Sequence, residues 1–534
     1  MRPMKSFVSA QKQTLVMSGL FMAVAAVVGI LIFKANALII LALGLSVISF
    51  MVMLLRPDFA TMVVMFMIYT NISVIAYKFH GVPQVVAGSV SLLICIPFAV
   101  YIFIRRESVK IDYTFLLMLL FFVSLMLSFF MAKDKQIASA WVFNFLFEGL
   151  LLYFLIINVV RRPQVLRGAV WALIVAGSLL GGLTLYQELS NSYSNNMGGL
   201  TQRNINLGID ESNTQGSGLM RSRTKVQTAN RAGGPIGDPN RFAQIMVVLL
   251  PLALFRFLDE KTLNMKIAAG IGAALILAGM LLTYSRGGFM TIVVIVALMT
   301  LMRYIKWYQV LLSMIVVFAV VAVAAPGYFT RMDTIKGVSG LFSQASANES
   351  DAVILGRTTE MLAALHVFLD YPLVGVGPGQ YGKFYSLDYM SNPDIAFRRI
   401  TKSRRAHSLY LELAAETGIL GLGVFMFIMM WVLYGLWRSR KQWKDRYVEY
   451  ANYAAAFFLG LIGYLMTAVF LSLAYQRYLW VVVALSGATI HILSTEKPPT
   501  EEEPAQPEFA SQWNRPGIQA MNYPQGGMHW QQRP

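Results

Sequence analysis

The chain has 534 residues, of which 57% are hydrophobic and only 13% charged, and its formal net charge is +17. A soluble globular domain carries about 25% charged residues, so this composition suits a bilayer better than water. The single cysteine, Cys95, excludes a disulfide framework and a thiolate metal site, and the histidines (His80, His366, His407, His491, His529) lack HExxH or paired-ligand spacing, so neither metal nor cofactor is expected.

A helix needs about 20 apolar residues to cross the hydrocarbon core. In chain order, spans are predicted near 13–33, 37–55, 58–78, 84–104, 114–132, 138–160, 168–187, 240–257, 265–283, 288–304, 307–326, 407–436, 452–472 and 478–493. This is an all-α, polytopic integral membrane protein of about 14 transmembrane helices (12–14), because open sheet edges cannot be satisfied in lipid. Ala35-Asn36-Ala37 looks like a signal-cleavage site, but the preceding apolar stretch is too long, Lys34 interrupts it and a second run follows, so the first span is expected to stay as an anchor.

Most Lys and Arg stand at the ends of apolar runs. There is no zinc finger, RNP motif or basic helix to suggest nucleic acid. With Arg2, Lys5 and Lys12 in the cytoplasm, the same side receives Arg56; Arg105, Arg106 and Lys110; Arg161, Arg162 and Arg167; Arg256, Lys261 and Lys266; Arg303 and Lys306; and Arg438 to Arg446. The opposite short loops hold only Lys34, Lys78, Lys133, Lys135, Arg286 and Arg477. That bias predicts a multi-pass protein of a bacterial inner membrane with both termini cytoplasmic.

The expected organisation is N-terminal transmembrane helices over 1–187, an outward (periplasmic) loop over 188–239, core helices over 240–326, a large outward loop or cap over 327–406, three C-terminal helices over 407–494, and a disordered cytoplasmic tail over 495–534. Long loops that are not mere linkers tend to carry function.

Four polar clusters on the outward side adjoin spans. In Gly237-Asp238-Pro239-Asn240-Arg241, Asp at the N-cap and Pro at the first helical position form a helix-start signature, which is by itself a structural role for Asp238. In Thr283-Tyr284-Ser285-Arg286-Gly287-Gly288, Arg286 sits beside exposed amides at a helix start, a geometry that attracts phosphate, although an Arg there can also snorkel to headgroups. The third cluster joins Gly356-Arg357 to the glycine-rich run Gly375-Val376-Gly377-Pro378-Gly379, which makes turns and is no P-loop. In the fourth, Arg404 and Arg405 precede His407 at the entry to a span. Cations and a helix N-terminus both favour the neutral imidazole that a general base needs. Glu412 and Glu416 are expected to pair with arginines. The spans that begin near Asp238, Arg286 and His407 all run inward, so their positive ends, with Arg231, point outward, where a lipid-borne diphosphate would suit them.

The order GDPNRFA, YSRGG, GR…DYPLVGVGPGQY and AHSLYLELAAETGILGLG resembles the O-antigen ligase and polymerase superfamily over about residues 230–480. The resemblance implies a GT-C-like helical membrane glycosyltransferase with a large periplasmic loop before the last three spans, using undecaprenyl-diphosphate-linked glycan. It implies that Arg286 holds the donor diphosphate with help from Arg357, and that His407 deprotonates the acceptor hydroxyl, with inversion at the anomeric carbon. Arg231, Asp238 and Asn240 match the pre-span element, and Arg404, Arg405 and Arg477 are read with them as substrate-binding. Ser408 follows the histidine where Asn is more usual, and the chain has more N-terminal spans than is customary. The acceptor would be lipid A–core, a growing polysaccharide or a protein, with membrane lipid and polysaccharide export or chain-length proteins as further partners.

Three alternatives stand beside this reading. A repeat-unit polymerase for exopolysaccharide or O-antigen would use the same motifs. A transporter fits because some superfamily members are labelled inorganic-carbon transporters. It should place polar or ionisable residues mid-span, where Asn144 and Glu148 are the main candidates and Gln187 lies only at a span's end. A scaffold for an export complex leaves the arginine and histidine clusters unexplained.

Overall fold

The computed structural model describes residues 51–83, 86, 88, 90–205, 230–311, 349–392, 402–472 and 476–496. The expected span at 13–33, most of those at 37–55 and 307–326, residues 206–229 of the first long loop, residues 327–348 and 393–401 of the second, and nearly all of the tail lie outside these residues. Among the described residues, 7 helices are long and apolar enough to cross a membrane, or up to 8 if a bent pair counts as one.

The bent pair is α1 (Pro57–Tyr69) and α2 (Ile72–His80), at 54° to each other. The sequence predicts one straight span here. Asn71 sits between them in the left-handed region (φ 59), which Asn tolerates better than most residues. Its amide donates to the Pro235 carbonyl at 3.1 Å, while the Tyr69 hydroxyl donates to the Ile245 carbonyl at 2.8 Å, so the break is held by tertiary contacts. The helix α3 (Ser91–Ile104) is shorter than expected and passes through 3-10, α and π turns around Pro97, which has no N–H to give.

Next come α4 (Tyr113–Phe129) and α5 (Lys135–Val159), each started by an aspartate. Asp112 accepts from the Phe115 N–H at 2.9 Å, and Asp134 from those of Gln136 and Ile137 at 2.9 and 3.2 Å. Within α5, Leu146–Leu151 forms a π turn that carries Glu148. The helix α6 (Pro163–Leu189) leads into an antiparallel pair, β1 (Gln202–Ile205) and β2 (Asn230–Gly234), in which Asn204 pairs with Arg231.

The apolar helix α7 (Pro239–Asp259) has 78% of its most hydrophobic window buried, as a helix surrounded by others should, and it packs against α6 and α8 (Leu263–Leu281), among others. A Cβ added at Gly181 of α6 would lie 2.1 Å from the Leu275 carbonyl oxygen, so this glycine lets α6 and α8 meet backbone to backbone. At its far end, the buried Arg256 holds Asp259 at 2.7 Å and Glu449 at 3.0 Å and lies over the Tyr453 ring.

The remaining elements are α9 (Arg286–Leu301), α10 (Glu349–Asp370), the short α11 (Ser386–Met390), α12 (Leu409–Trp443), α13 (Val448–Thr467) and α14 (Gln476–Thr495). The predicted span over 407–436 differs in one respect: α12 is broken at Gly418 (φ 63, ψ −166). The turns before the break dock on the glycine-rich segment. Val376 donates to the Ala415 carbonyl at 3.0 Å, Gly377 to that of Glu416 at 2.9 Å, and Ile419 to that of Pro372 at 2.8 Å.

Candidate active site

The site is assembled at the starts of α7, α9 and α12. Asp238 caps α7, its Oδ1 accepting from the N–H groups of Asn240 (2.8 Å) and Arg241 (3.2 Å). Arg241 turns across to donate to the Ser472 carbonyl (2.8 Å) and hydroxyl (3.0 Å), tying α7 to the segment before α14. Arg231 is buried; its Nε donates to the Thr283 carbonyl and its Nη2 to Asn240 Oδ1, both at 2.9 Å. Ala232 donates to the Leu282 carbonyl at 3.1 Å. Strand β2 therefore fixes the turn that launches α9.

That turn places Tyr284 in the left-handed region (φ 51), and Ser285 then caps α9 by accepting from Gly288 at 3.3 Å. Arg286 follows as the first helical residue, half-buried and within electrostatic range of Arg357 on α10. Among the described residues no carboxylate pairs with Arg357.

His407, also left-handed (φ 48), ends a short extended segment that carboxylates hold from two directions. Arg404 donates from Nη1 to Glu360 Oε1 at 3.1 Å and from its backbone N–H to the Ser386 hydroxyl at 3.1 Å. Arg405 donates from Nε to Glu412 Oε1 at 2.9 Å and lies 5.0 Å over the Trp141 ring, while the Ala406 N–H reaches Glu412 Oε2 at 3.3 Å. His407 Nε2 lies 3.4 Å from Glu360 Oε2, and 40% of the His407 side chain stays accessible, so the ring faces a carboxylate on one side and is open on another.

Burial pushes the imidazole pKa down, and the positive fields of Arg357, Arg404 and Arg241 push it further, to about 4, against a weaker opposing pull from Asp238. At neutral pH the ring is uncharged and keeps one nitrogen as a proton acceptor. The site can therefore take a proton from a hydroxyl and hold a polyanion beside it.

His407 lies within electrostatic range of Arg357, Arg404, Arg241 and Asp238, and Arg286 within that of Arg357. Arg231 and Asn240 support Asp238, Arg231 bonding the Asn240 side chain and the Asn240 N–H bonding Asp238. Glu412 pairs with Arg405, and Glu416 accepts from the N–H groups of Gly379 (2.8 Å) and Tyr381 (3.3 Å). Arg477 stands apart: its guanidinium holds Glu148 at 2.8 Å, with Asn71 and Ser73 each at 3.4 Å, at the bend between α1 and α2. Two residues escaped the sequence reading, Glu360 and Arg241. Arg241 lay inside a motif whose capping role accounted for it. Glu360 follows Arg357 by one helical turn, and that spacing was the available signal. Among the described residues, no group of three His, Cys, Asp or Glu is placed to hold a metal ion.

These features define a class: a helical membrane protein with an imidazole and a set of guanidinium groups gathered where several of its helices begin. Residues 271–426 match the family model described as O-antigen ligase. The match spans Arg286, Arg357, Arg404, Arg405 and His407; Arg231, Asp238 and Asn240 precede it and Arg477 follows it. No curated protein matches the chain.

Proposed function

We propose that the protein is a glycosyltransferase of the bacterial inner membrane that moves an undecaprenyl-diphosphate-linked glycan onto an acceptor hydroxyl on the periplasmic side. The observation that carries this reading is a partly open imidazole within electrostatic range of Arg357, which in turn is within electrostatic range of Arg286. Neighbouring like charges raise each other's energy, and a diphosphate between them would relieve that repulsion. His407 takes the acceptor's proton, the acceptor oxygen bonds to the anomeric carbon from the face opposite the leaving group, and the bond to the diphosphate oxygen breaks. The electron pair leaves with undecaprenyl diphosphate, whose charge Arg286 and Arg357 offset. Each charge-assisted contact contributes about 1.5–3 kcal/mol.

The test is transfer by purified protein supplied with a lipid-linked oligosaccharide, scored for chain growth and for transfer to a separate acceptor. His407→Ala and Arg286→Ala are each expected to abolish product while leaving membrane insertion intact. Wild-type turnover in both variants would overturn the assignment. Chain growth would identify a polymerase, which uses the same chemistry with a second lipid-linked glycan as acceptor. The Glu148–Arg477 pair beside a bent span is what favours a transporter instead, and solute flux without glycan product would support that reading.

A further inference from the structure

We propose that Glu360 is the positioning residue of His407: its carboxylate receives the Nε2–H of the imidazole and leaves Nδ1 as the atom that accepts the proton. The inference rests on reading His407 as a base and goes beyond it by assigning which nitrogen acts and what fixes it.

Glu360 belongs to α10, in the long loop, and its side chain is only 1% exposed. A carboxylate so deeply buried stays ionised only with a compensating cation, and Arg404 supplies one at 3.1 Å on Oε1. The Tyr381 hydroxyl donates to the Glu360 backbone carbonyl at 3.0 Å, anchoring the same turn of α10. With Oε1 engaged by Arg404, Oε2 is the oxygen that faces His407 Nε2, at 3.4 Å.

The histidine is held as firmly from its own side. Its left-handed backbone turns the chain sharply just before α12, and the N–H of the preceding residue is bonded to Glu412. A neutral imidazole has one N–H and one bare nitrogen, and which is which follows from the partner of the N–H. A carboxylate at Nε2 selects the Nε2–H form and stabilises the imidazolium that appears once Nδ1 has taken the acceptor's proton. That stabilisation is needed here, because Arg357, Arg404 and Arg241 all oppose a positive ring. Arg357 and Glu360 are one turn apart on α10, so the loop helix brings both a guanidinium for the donor and the orienting carboxylate to the base.

The experiment uses full-length protein in nanodiscs with 15N-labelled imidazole rings, the His407 signals being those lost in His407→Ala. At pH 7 the wild type is expected to show His407 with Nε2 protonated and Nδ1 bare. Glu360→Gln, whose amide can donate to Nε2, is expected to shift the ring to a mixture or to the Nδ1–H form. In the transfer assay the same variant should lose about 100-fold or more in kcat, with the donor KM unchanged within about 2-fold. Glu360→Asp, which keeps the charge, should recover part of the loss and serves if the Gln variant does not fold. An unchanged tautomer in the Gln variant, or a fall in kcat matched by a rise in donor KM and a loss of thermal stability, would overturn the proposal. A tautomer switch in protein that transfers no glycan would sink the glycosyltransferase reading and leave the positioning role standing.

Discussion

A general base must be uncharged before it acts and must bear a proton afterwards, and the surroundings of His407 weigh on the first demand. Burial is the larger influence and the three guanidinium groups the next, which together bring the pKa to about 4 from the usual value of about 6.5. Protonation removes the base, so activity falls as pH drops through the pKa of the folded protein. Because that pKa is lowered, the loss is displaced toward acid. The expected profile of kcat/KM is flat from neutral pH down to about pH 5, with its acid limb near pH 4. Arg357→Gln removes the strongest of the cationic influences and should move the limb upward, though not all the way, since burial remains, while weakening donor binding. A pH–rate series on both proteins checks this. A wild-type limb at the ordinary histidine value would mean that the cations do not act on the ring.

At the scale of elements, the break in α12 decides where His407 stands. A Cβ at Gly418 would lie 2.3 Å from the Leu373 carbonyl carbon and oxygen, and the residue occupies a left-handed conformation that other residues adopt at a cost of about 1–3 kcal/mol. Gly418→Ala is therefore expected to lower the melting temperature and to loosen the 372–379 segment, with activity falling alongside. Gly423→Ala, five residues on with nothing within 4 Å of an added Cβ, should be neutral or slightly stabilising. Melting curves in detergent would separate the two, and equal melting temperatures would show that the break does not matter. The sequence predicts the spans of α6, α7, α8 and α13 from their uninterrupted apolar runs, and the caps Asp238 and Ser285 from their motifs, because these features are local. The break at Gly418 and the bend at Asn71 were not legible. Apolar residues resume directly after both, and the reasons for the breaks are contacts with Pro372, Leu373 and Pro235, far away in the chain. Glu360 was hidden similarly, since a glutamate in an amphipathic stretch reads as a solvated face until its partners on the 402–408 segment are known.

At the scale of the molecule, α7 is fastened at both ends, and the two ends differ in kind. Near its start the guanidinium groups of Arg231 and Arg241 bind carbonyl and hydroxyl oxygens, and His407 lies within electrostatic range of Arg241 and Asp238. Near its finish Arg256 is locked among Asp259, Glu260 and Glu449, and Arg167 closes on Glu260. The lysines and arginines of the short loops are concentrated at that second end, so the positive-inside rule predicts that it faces the cytoplasm and that the proposed site faces outward. The single cysteine makes this directly measurable. In a Cys95→Ser background, Lys383→Cys, near the site and 59% exposed, should react with a membrane-impermeant maleimide in intact cells whose outer membrane has been opened. Lys441→Cys, exposed near the far end of α12, should react only after the inner membrane is permeabilised. The reverse pattern would put His407 in the cytosol, out of reach of periplasmic acceptors, and the loop arginines could not then be explained by orientation. Labelling of both in intact cells would point instead to a leaky preparation, which a cytosolic marker enzyme assayed in the same samples would reveal.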